Sequence, residues 1–435
     1  MKAVQLTVGS AVLLTVSAVS QANTDDAAAQ IAALEARVAE LEATDTDRWL
    51  TEERSEEIRE LVTDVLADAD TRASLMSSRF GADYDNGAVI GDAEGNWQIK
   101  TRFLMQQRFL YNNQDEMSAT DTDRWGFENT RSKFYISGHV VDPSWRYVID
   151  INVGSGVGRT GVGNAYIAHD YDENNTILMG SMKVPLVRED MVTAENQLAI
   201  ERSVLSYAFT GGYADGIAWH HRQDKWRLWA SFNDGAGTGQ TAALAMDTEY
   251  SITGRFEFLF DGTWSQFDDF TSMKGDTGGV MAGAAAHYQK GEYGTAATET
   301  EVLIFTADVS WEGDGANAFG AFYYADIDTG VGGSTNPTGF SIQGGLFLDE
   351  DWELFARYEW ADWDTASEDL SIVTVGVTRY FAGQNMKWTT DLGYGLDAVN
   401  TGGINGAPAA ITGFRTDSGS EDGQFVVRTQ WQLFF

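Results

Sequence analysis

The sequence predicts an all-β transmembrane barrel of about 16 antiparallel strands, with a short N-terminal α-helical coiled-coil stalk, and three observations carry that prediction. From Asn96 to Phe435, polar and apolar residues alternate with period two, in segments of about ten residues or more punctuated by Asp, Gly and Asn clusters. The connections between segments alternate between short and long. The last segment puts Phe425, Val427, Thr429, Trp431, Leu433 and Phe435 on one face and Arg428, Gln430 and Gln432 on the other. A water-soluble fold has little reason to end on an exposed aromatic.

Composition agrees. The 435 residues include 4 prolines against 46 glycines, 14 tryptophans, 16 tyrosines and 23 phenylalanines, a mix suited to regular strands with tight turns. Without cysteine there is no disulfide, thiolate metal site or thiol chemistry. A net charge of −36, from 65 acids and 29 Lys and Arg, argues against nucleic acid as a partner. The acids read as solubilising external loops, or as sites for divalent cations with lipopolysaccharide.

Residues 1–22 read as a signal peptide: Lys2 supplies the positive start, Val12 to Val19 the apolar run, and Ser20 and Ala22 the small residues before a cut. After it no run of about 18 apolar residues occurs, so a helical span is excluded and a membrane-bound product must be a closed barrel. Residues 23–76 read as a periplasmic helical segment, free of Gly and Pro from Asp25 to Arg72, with Ile31, Leu34, Val38 and Leu41 forming a narrow seam. Two heptads are too few to hold alone. The segment is either an oligomerising stalk, which in the structural-anchor alternative grips the cell wall, or an amphipathic or solvated helix, with Ile58, Leu61, Val62 and Val65 as a second one. Residues 77–95 read as a linker, and 96–435 as the outer-membrane barrel.

In the first barrel strand Gln98, Lys100, Arg102, Gln106 and Arg108 oppose Ile99, Phe103, Met105, Phe109 and Tyr111. That pattern alone fits a soluble sandwich as well as a barrel turned inside out; strand number and length favour the barrel. Long connections include Asn112 to Arg124 and Gly154 to Gly161; short ones include Asp142-Pro143-Ser144, Asp172 to Asn175, Arg222-Gln223-Asp224, Gly313-Asp314-Gly315, Asp349-Glu350-Asp351 and Gly383-Gln384. One junction, Gly262 to Gly278, is too long for its side. Trp125, Trp145, Tyr171, Trp226, Trp311, Trp352, Tyr380 and Trp388 suit two interfacial girdles; the alternative is a set of core aromatics.

Several stretches resemble the phosphate-selective porins O and P: Phe134-Tyr135-Ile136-Ser137-Gly138, Asn164-Ala165-Tyr166-Ile167, Gly180-Ser181-Met182-Lys183-Val184-Pro185, Glu201-Arg202-Ser203, and Trp226 to Gly235. The resemblance implies a sixteen-stranded barrel, a homotrimer, and an anion-preferring channel in which Arg and Lys guide phosphate.

If the polar faces look inward, the strands put Lys100, Arg102, Arg108, Arg131, Lys133, Arg146, Lys183, Arg227, Arg255 and Arg357 in the lumen as an anion path. Asp150, Asp170, Glu257, Asp308, Glu353 and Glu359 share those faces and could pair with them, giving a transverse field instead. The connection from Arg188 to Thr210 is the third external loop and the expected constriction; it carries Arg188, Glu189, Asp190, Glu195, Glu201 and Arg202. A wholly external loop is the alternative. His139, His169, His220, His221 and His287 lack metal-ligand spacing, and no cofactor or enzyme signature stands out.

The sequence thus reads as a bacterial outer-membrane porin for passive diffusion of small anions such as phosphate. Expected partners are outer-membrane lipid, lipopolysaccharide, further copies in a homotrimer, and the outer-membrane assembly machinery at the Phe435 strand. A weakly selective general porin and a structural outer-membrane anchor are the alternatives.

Overall fold

The computed structural model describes residues 81–435 apart from 115–121, 154–160, 243–247, 293–298, 330–332, 366–368, 400–401, 403–408 and 416–421; before residue 81 it describes 29, 32–37, 39, 59 and 62. The chain divides into two units, 1–77 and 78–435. In the first, the described residues are helical and exposed, Leu34 and Val62 among them. The proposed signal peptide and the seam residues Ile31, Val38 and Leu41 lie outside the described residues. No helix among the described residues is long and apolar enough to cross a membrane.

The second unit is one antiparallel sheet closed on itself. Its spanning strands are β1 (Gln98–Asn113), β2 (Asp123–Val140), β3 (Asp142–Asn152), β4 (Gly161–Asp170), β5 (Asn175–Lys183), β6 (Tyr213–Arg222), β7 (Trp226–Asn233), β8 (Thr248–Asp261), β9 (Gly279–Glu292), β10 (Glu299–Gly313), β11 (Ala316–Asp328), β12 (Thr338–Phe347), β13 (Trp352–Asp362), β14 (Leu370–Ala382), β15 (Met386–Gly395) and β16 (Phe425–Phe434). Each pairs with its sequence neighbours, and β16 returns to β1 from Phe425↔Asn113 to Phe434↔Leu104. The Phe435 amide continues that seam, donating to the Phe103 carbonyl at 3.0 Å. Closure leaves no spanning strand with an open edge, as hydrocarbon requires.

The faces are inverted relative to a soluble protein. Phe127 is 81% exposed and Met179 71%, whereas Arg255 is 1% exposed and Glu353 fully buried. On β12 and β13, Ile342, Leu346 and Leu354 point outward while Gln343, Glu353 and Arg357 point inward. The apolar exterior matches a lipid solvent, and the polar faces share the lumen.

Two departures from the expected boundaries matter. The stretch 77–95, expected to be a linker, contains a hairpin of Gly81–Tyr84 and Ala88–Gly91, whose second strand pairs with β1 at Ala88↔Thr101 through Gly91↔Gln98. Its turn is Asn86-Gly87, with φ of 45° and 142°, a dipeptide that favours such turns. The first short turn lies at Val141 (φ 71°), and Asp142-Pro143-Ser144 instead opens β3.

A bulge in β2 decides what the lumen sees. The register with β1 shifts between Gln106↔Arg131 and Gln107↔Asn129, leaving Thr130 as the extra residue. Glu128 and Arg131, three apart, therefore both face inward.

Replacing outward-facing Ile342 by Arg should destabilise the folded barrel by about 2–4 kcal/mol if its position is near the bilayer midplane. Urea unfolding in lipid vesicles measures this, and an unshifted midpoint would remove Ile342 from the lipid face.

Candidate functional site in the lumen

The connection from Val184 to Gly212 folds into the barrel, and its own composition gives the reason. Leu186, Val187, Val192, Leu198, Val204, Leu205 and Phe209 are buried there in one apolar cluster with Ile304, Phe319, Tyr323, Phe355 and Ile372 of the β10–β14 wall. Burying each such side chain fully is worth about 1.5–3 kcal/mol relative to exposure, so the loop is driven inward. Two short helices shape it, α1 (Arg188–Met191) and α2 (Val204–Phe209). Ser203 caps α2, its hydroxyl accepting from the Ser206 amide at 2.9 Å. The ring of Phe209 stacks on Tyr323 with centroids 5.3 Å apart.

Charged latches then tie the loop to the walls. Glu201 receives Arg131 at 2.6 Å and Arg108 at 3.0 Å. Burial alone would raise its carboxyl, but those two guanidinium groups outweigh it and hold the pKa down at about 2. Glu189 pairs with Arg357 at 3.1 Å, Glu359 accepts from the Val204 amide at 2.6 Å, and Lys387 donates to the Gln197 carbonyl at 3.0 Å. Glu195 accepts from the Tyr135 hydroxyl at 3.1 Å.

The ten expected path residues fall into two sets. Arg108, Arg131, Arg255 and Arg357 are buried and ion-paired: Arg108 also meets Glu128, and Arg255 is held by Asp308 at 2.8 Å and Glu257 at 2.9 Å. The others are less tightly enclosed or face a cavity. Arg146 pairs with Asp170 at 2.6 Å, Lys100 with Asp85 at 3.0 Å, and Lys183 with Asp190 at 3.1 Å. Arg227 lies 3.8 Å over the Trp264 ring, and Arg102 lies 4.9 Å from the Phe434 ring. Lys133 makes no ion pair among the described residues: it feels the charges of Glu195 and Asp150 without closing on either, and lies 5.9 Å from the Tyr135 ring.

In the loop, Arg188 donates to the Phe267 carbonyl, and Arg202 donates to the carbonyls of Val192 at 2.6 Å and Glu189 at 2.9 Å while lying 3.6 Å from Asp190. Burial would raise Asp190, but Lys183 and Arg202 hold it at about 2. Arg428, paired with Asp391 at 2.6 Å, and Lys387 are further lumenal bases absent from the expected set. Both sit on inward positions of the same alternation that found the others.

Two more connections fill the barrel. The long junction after β8 lies at the short-turn end: the Trp264 indole donates to the Asp224 carbonyl at 3.0 Å, and the Gly275 amide to Asp314 at 2.7 Å. It turns inward, burying Phe267 and Phe270, and the Phe270 amide meets the Asn196 carbonyl of the loop at 3.2 Å. From the opposite end, the connection before β16 supplies Phe414 to the apolar cluster and the Thr412 carbonyl to Arg428 at 2.6 Å. A cavity of about 220 Å³ lies between the loop and the wall from β2 to β7, lined by Lys133, Tyr135, Asp150, Asn164, Tyr166, Met182, Lys183, Arg202, Tyr213 and Trp229.

A closed antiparallel barrel with an apolar exterior, a charged interior and a long connection folded into it has the architecture of outer-membrane porins. The fold is similar to the anion-selective porin from Comamonas acidovorans (TM-score 0.57, 12% identity, covering 78% of this chain and 100% of that one). It is also similar to OmpT, an outer-membrane protein of Vibrio cholerae (TM-score 0.54, 12% identity, covering 78% and 98%). A trimer form of that OmpT aligns with TM-score 0.50 at 15% identity over 78% of this chain and 99% of that one. At these identities the likeness is one of fold. No family model and no curated protein sequence matches the chain, so the kinship with the phosphate-selective porins O and P is an expectation of the sequence.

Glu201→Gln would leave Arg131 without an acid, and stranding a buried charge costs about 3–5 kcal/mol. The expected result is a loosened loop, seen as larger and noisier single-channel conductance. Traces indistinguishable from the unmodified protein would remove Glu201 as a latch.

Proposed function

We propose that this protein is a porin of the bacterial outer membrane through which small anions diffuse passively, passing along the β2–β7 wall rather than down the barrel axis. The observation that carries the reading is the charge lining the cavity: Lys133, Lys183 and Arg202 against Asp150, with Lys133 unpaired among the described residues. A fixed positive charge at a narrow, partly desolvated point raises the local concentration of anions. Asp190 offsets part of that field through Lys183 and Arg202, so the preference is moderate. Towards the short-turn end, Arg102, Arg146 and Arg227 extend the basic side. Arg255 and Arg357 act as loop latches in this reading and lie off the path.

Phosphate is the solute implied by the resemblance and belongs to this proposal, as do the homotrimer, the lipid and lipopolysaccharide contacts, the assembly machinery at Phe435 and a helical stalk in residues 23–76. A weakly selective pore is the second reading. It is favoured by the near-balance of acids and bases in the latches, which would leave only a transverse field.

Planar-bilayer recording under a potassium chloride gradient separates them. The expected reversal potential has anion sign, and Lys133→Glu should move it towards the cation side. A cation sign in the unmodified protein would overturn the anion reading.

A further inference from the structure

The cavity that carries the anion reading has walls poorly suited to a bare inorganic ion. Beside Lys133, the rings of Tyr135, Tyr166, Tyr213 and Trp229 face it together with Leu178 and Met182. The hydroxyls of Tyr166 and Tyr213 have no hydrogen-bond partner among the described residues, whereas that of Tyr135 is committed to Glu195. Lys183 is held by Asp190 and lies 5.8 Å from the Tyr213 ring. The site therefore offers one cation outside any ion pair, two uncommitted hydroxyl donors, and aromatic and aliphatic surface around them; its one acid, Asp150, accepts from the Asn164 amide at 2.6 Å and offsets part of the Lys133 charge.

We infer that this cavity is a binding site for small organic monoanions with a flat apolar body, of which an aromatic carboxylate is the simplest. The inference rests on the anion reading above and departs from the phosphate that the resemblance implies. A carboxylate can take Lys133 and a tyrosine hydroxyl, while its ring lies against Tyr135, Tyr166 or Trp229 and leaves water for apolar surroundings. Phosphate, strongly hydrated on all sides, would surrender hydration to walls that are largely aromatic and aliphatic, with Lys133 as the one cation outside an ion pair in return. At about 220 Å³ the cavity is below the range of about 300–1,000 Å³ usual for drug-sized ligands, which fits a single ring. The site lies on the proposed path, so binding there must be weak enough to release.

The test is interruption of chloride current in single channels of the full-length protein by sodium benzoate, acetate and phosphate at fixed ionic strength. Benzoate should halve the current at a concentration at least about tenfold below that needed with acetate or phosphate, a preference of about 1.4 kcal/mol. Lys133→Met and Tyr166→Leu should each erase that advantage, while Lys133→Arg should retain it. Persistence of chloride current in each variant shows that it has folded; if the Leu variant does not conduct, Tyr166→Phe, which keeps the ring, should retain most of the preference. Equal block by acetate and benzoate, or stronger block by phosphate, would overturn the organic-anion site while leaving an anion-sign reversal potential intact. A cation-sign reversal potential in potassium chloride alone would overturn the anion reading and this inference together.

Discussion

Peptide groups in hydrocarbon have no water to bond, so each must find its partner within the sheet. That constraint sets the β16–β1 seam, where Phe434 lies opposite Leu104 and Phe435 exchanges main-chain hydrogen bonds with Phe103. Once the ring is closed, period-two side-chain geometry assigns every spanning residue to lipid or lumen. Each local feature of the interior, including the bulge at Thr130 that turns both Glu128 and Arg131 inward, acts within that assignment.

The interior is filled by a small soluble-style core. The β10–β14 wall breaks the polar-inside rule with Ile304, Phe319, Tyr323 and Phe355, and the loop answers with Leu186, Leu205 and Phe209. Around this core the buried charges come in opposed sets. A buried ion pair contributes little net stability but strongly penalises any arrangement that separates it, so Glu201 between Arg108 and Arg131 fixes where the loop sits more than how firmly the barrel folds. Most of the lumenal arginine charge is consumed in this positioning. Selectivity in the proposed pore is left to the few bases outside the latches, Lys133 foremost.

The barrel was legible in the sequence because its signal is backbone geometry repeated in every strand. The inward location of Lys133, Arg255 and Arg357 followed from parity alone. Their division into latches and cavity-facing bases did not, since it depends on the path of a loop whose contacts, such as Arg357 with Glu189, join residues far apart in the chain. The apolar content of that loop, with Leu186, Val204, Leu205 and Phe209, was a readable sign that it could not stay in water. Tyr166, Tyr213 and Trp229 sit at inward positions of the same alternation, so their place on the lumen face is legible in the sequence while their convergence on one cavity is not. The Asn86-Gly87 turn is likewise a legible hairpin signal in the stretch expected to be a linker. The helical segment before residue 77 had a sequence pattern but too little seam to specify its partner.

The contact between Asn196 and Phe270 joins segments that enter the barrel from opposite ends. Their lengths are therefore not independent: a residue added to or removed from the 262–278 junction would alter the footing of a loop anchored at the other rim. In a lineage carrying this arrangement, insertions and deletions in the two segments should be inherited as matched pairs, whereas the remaining surface connections are free to drift one at a time.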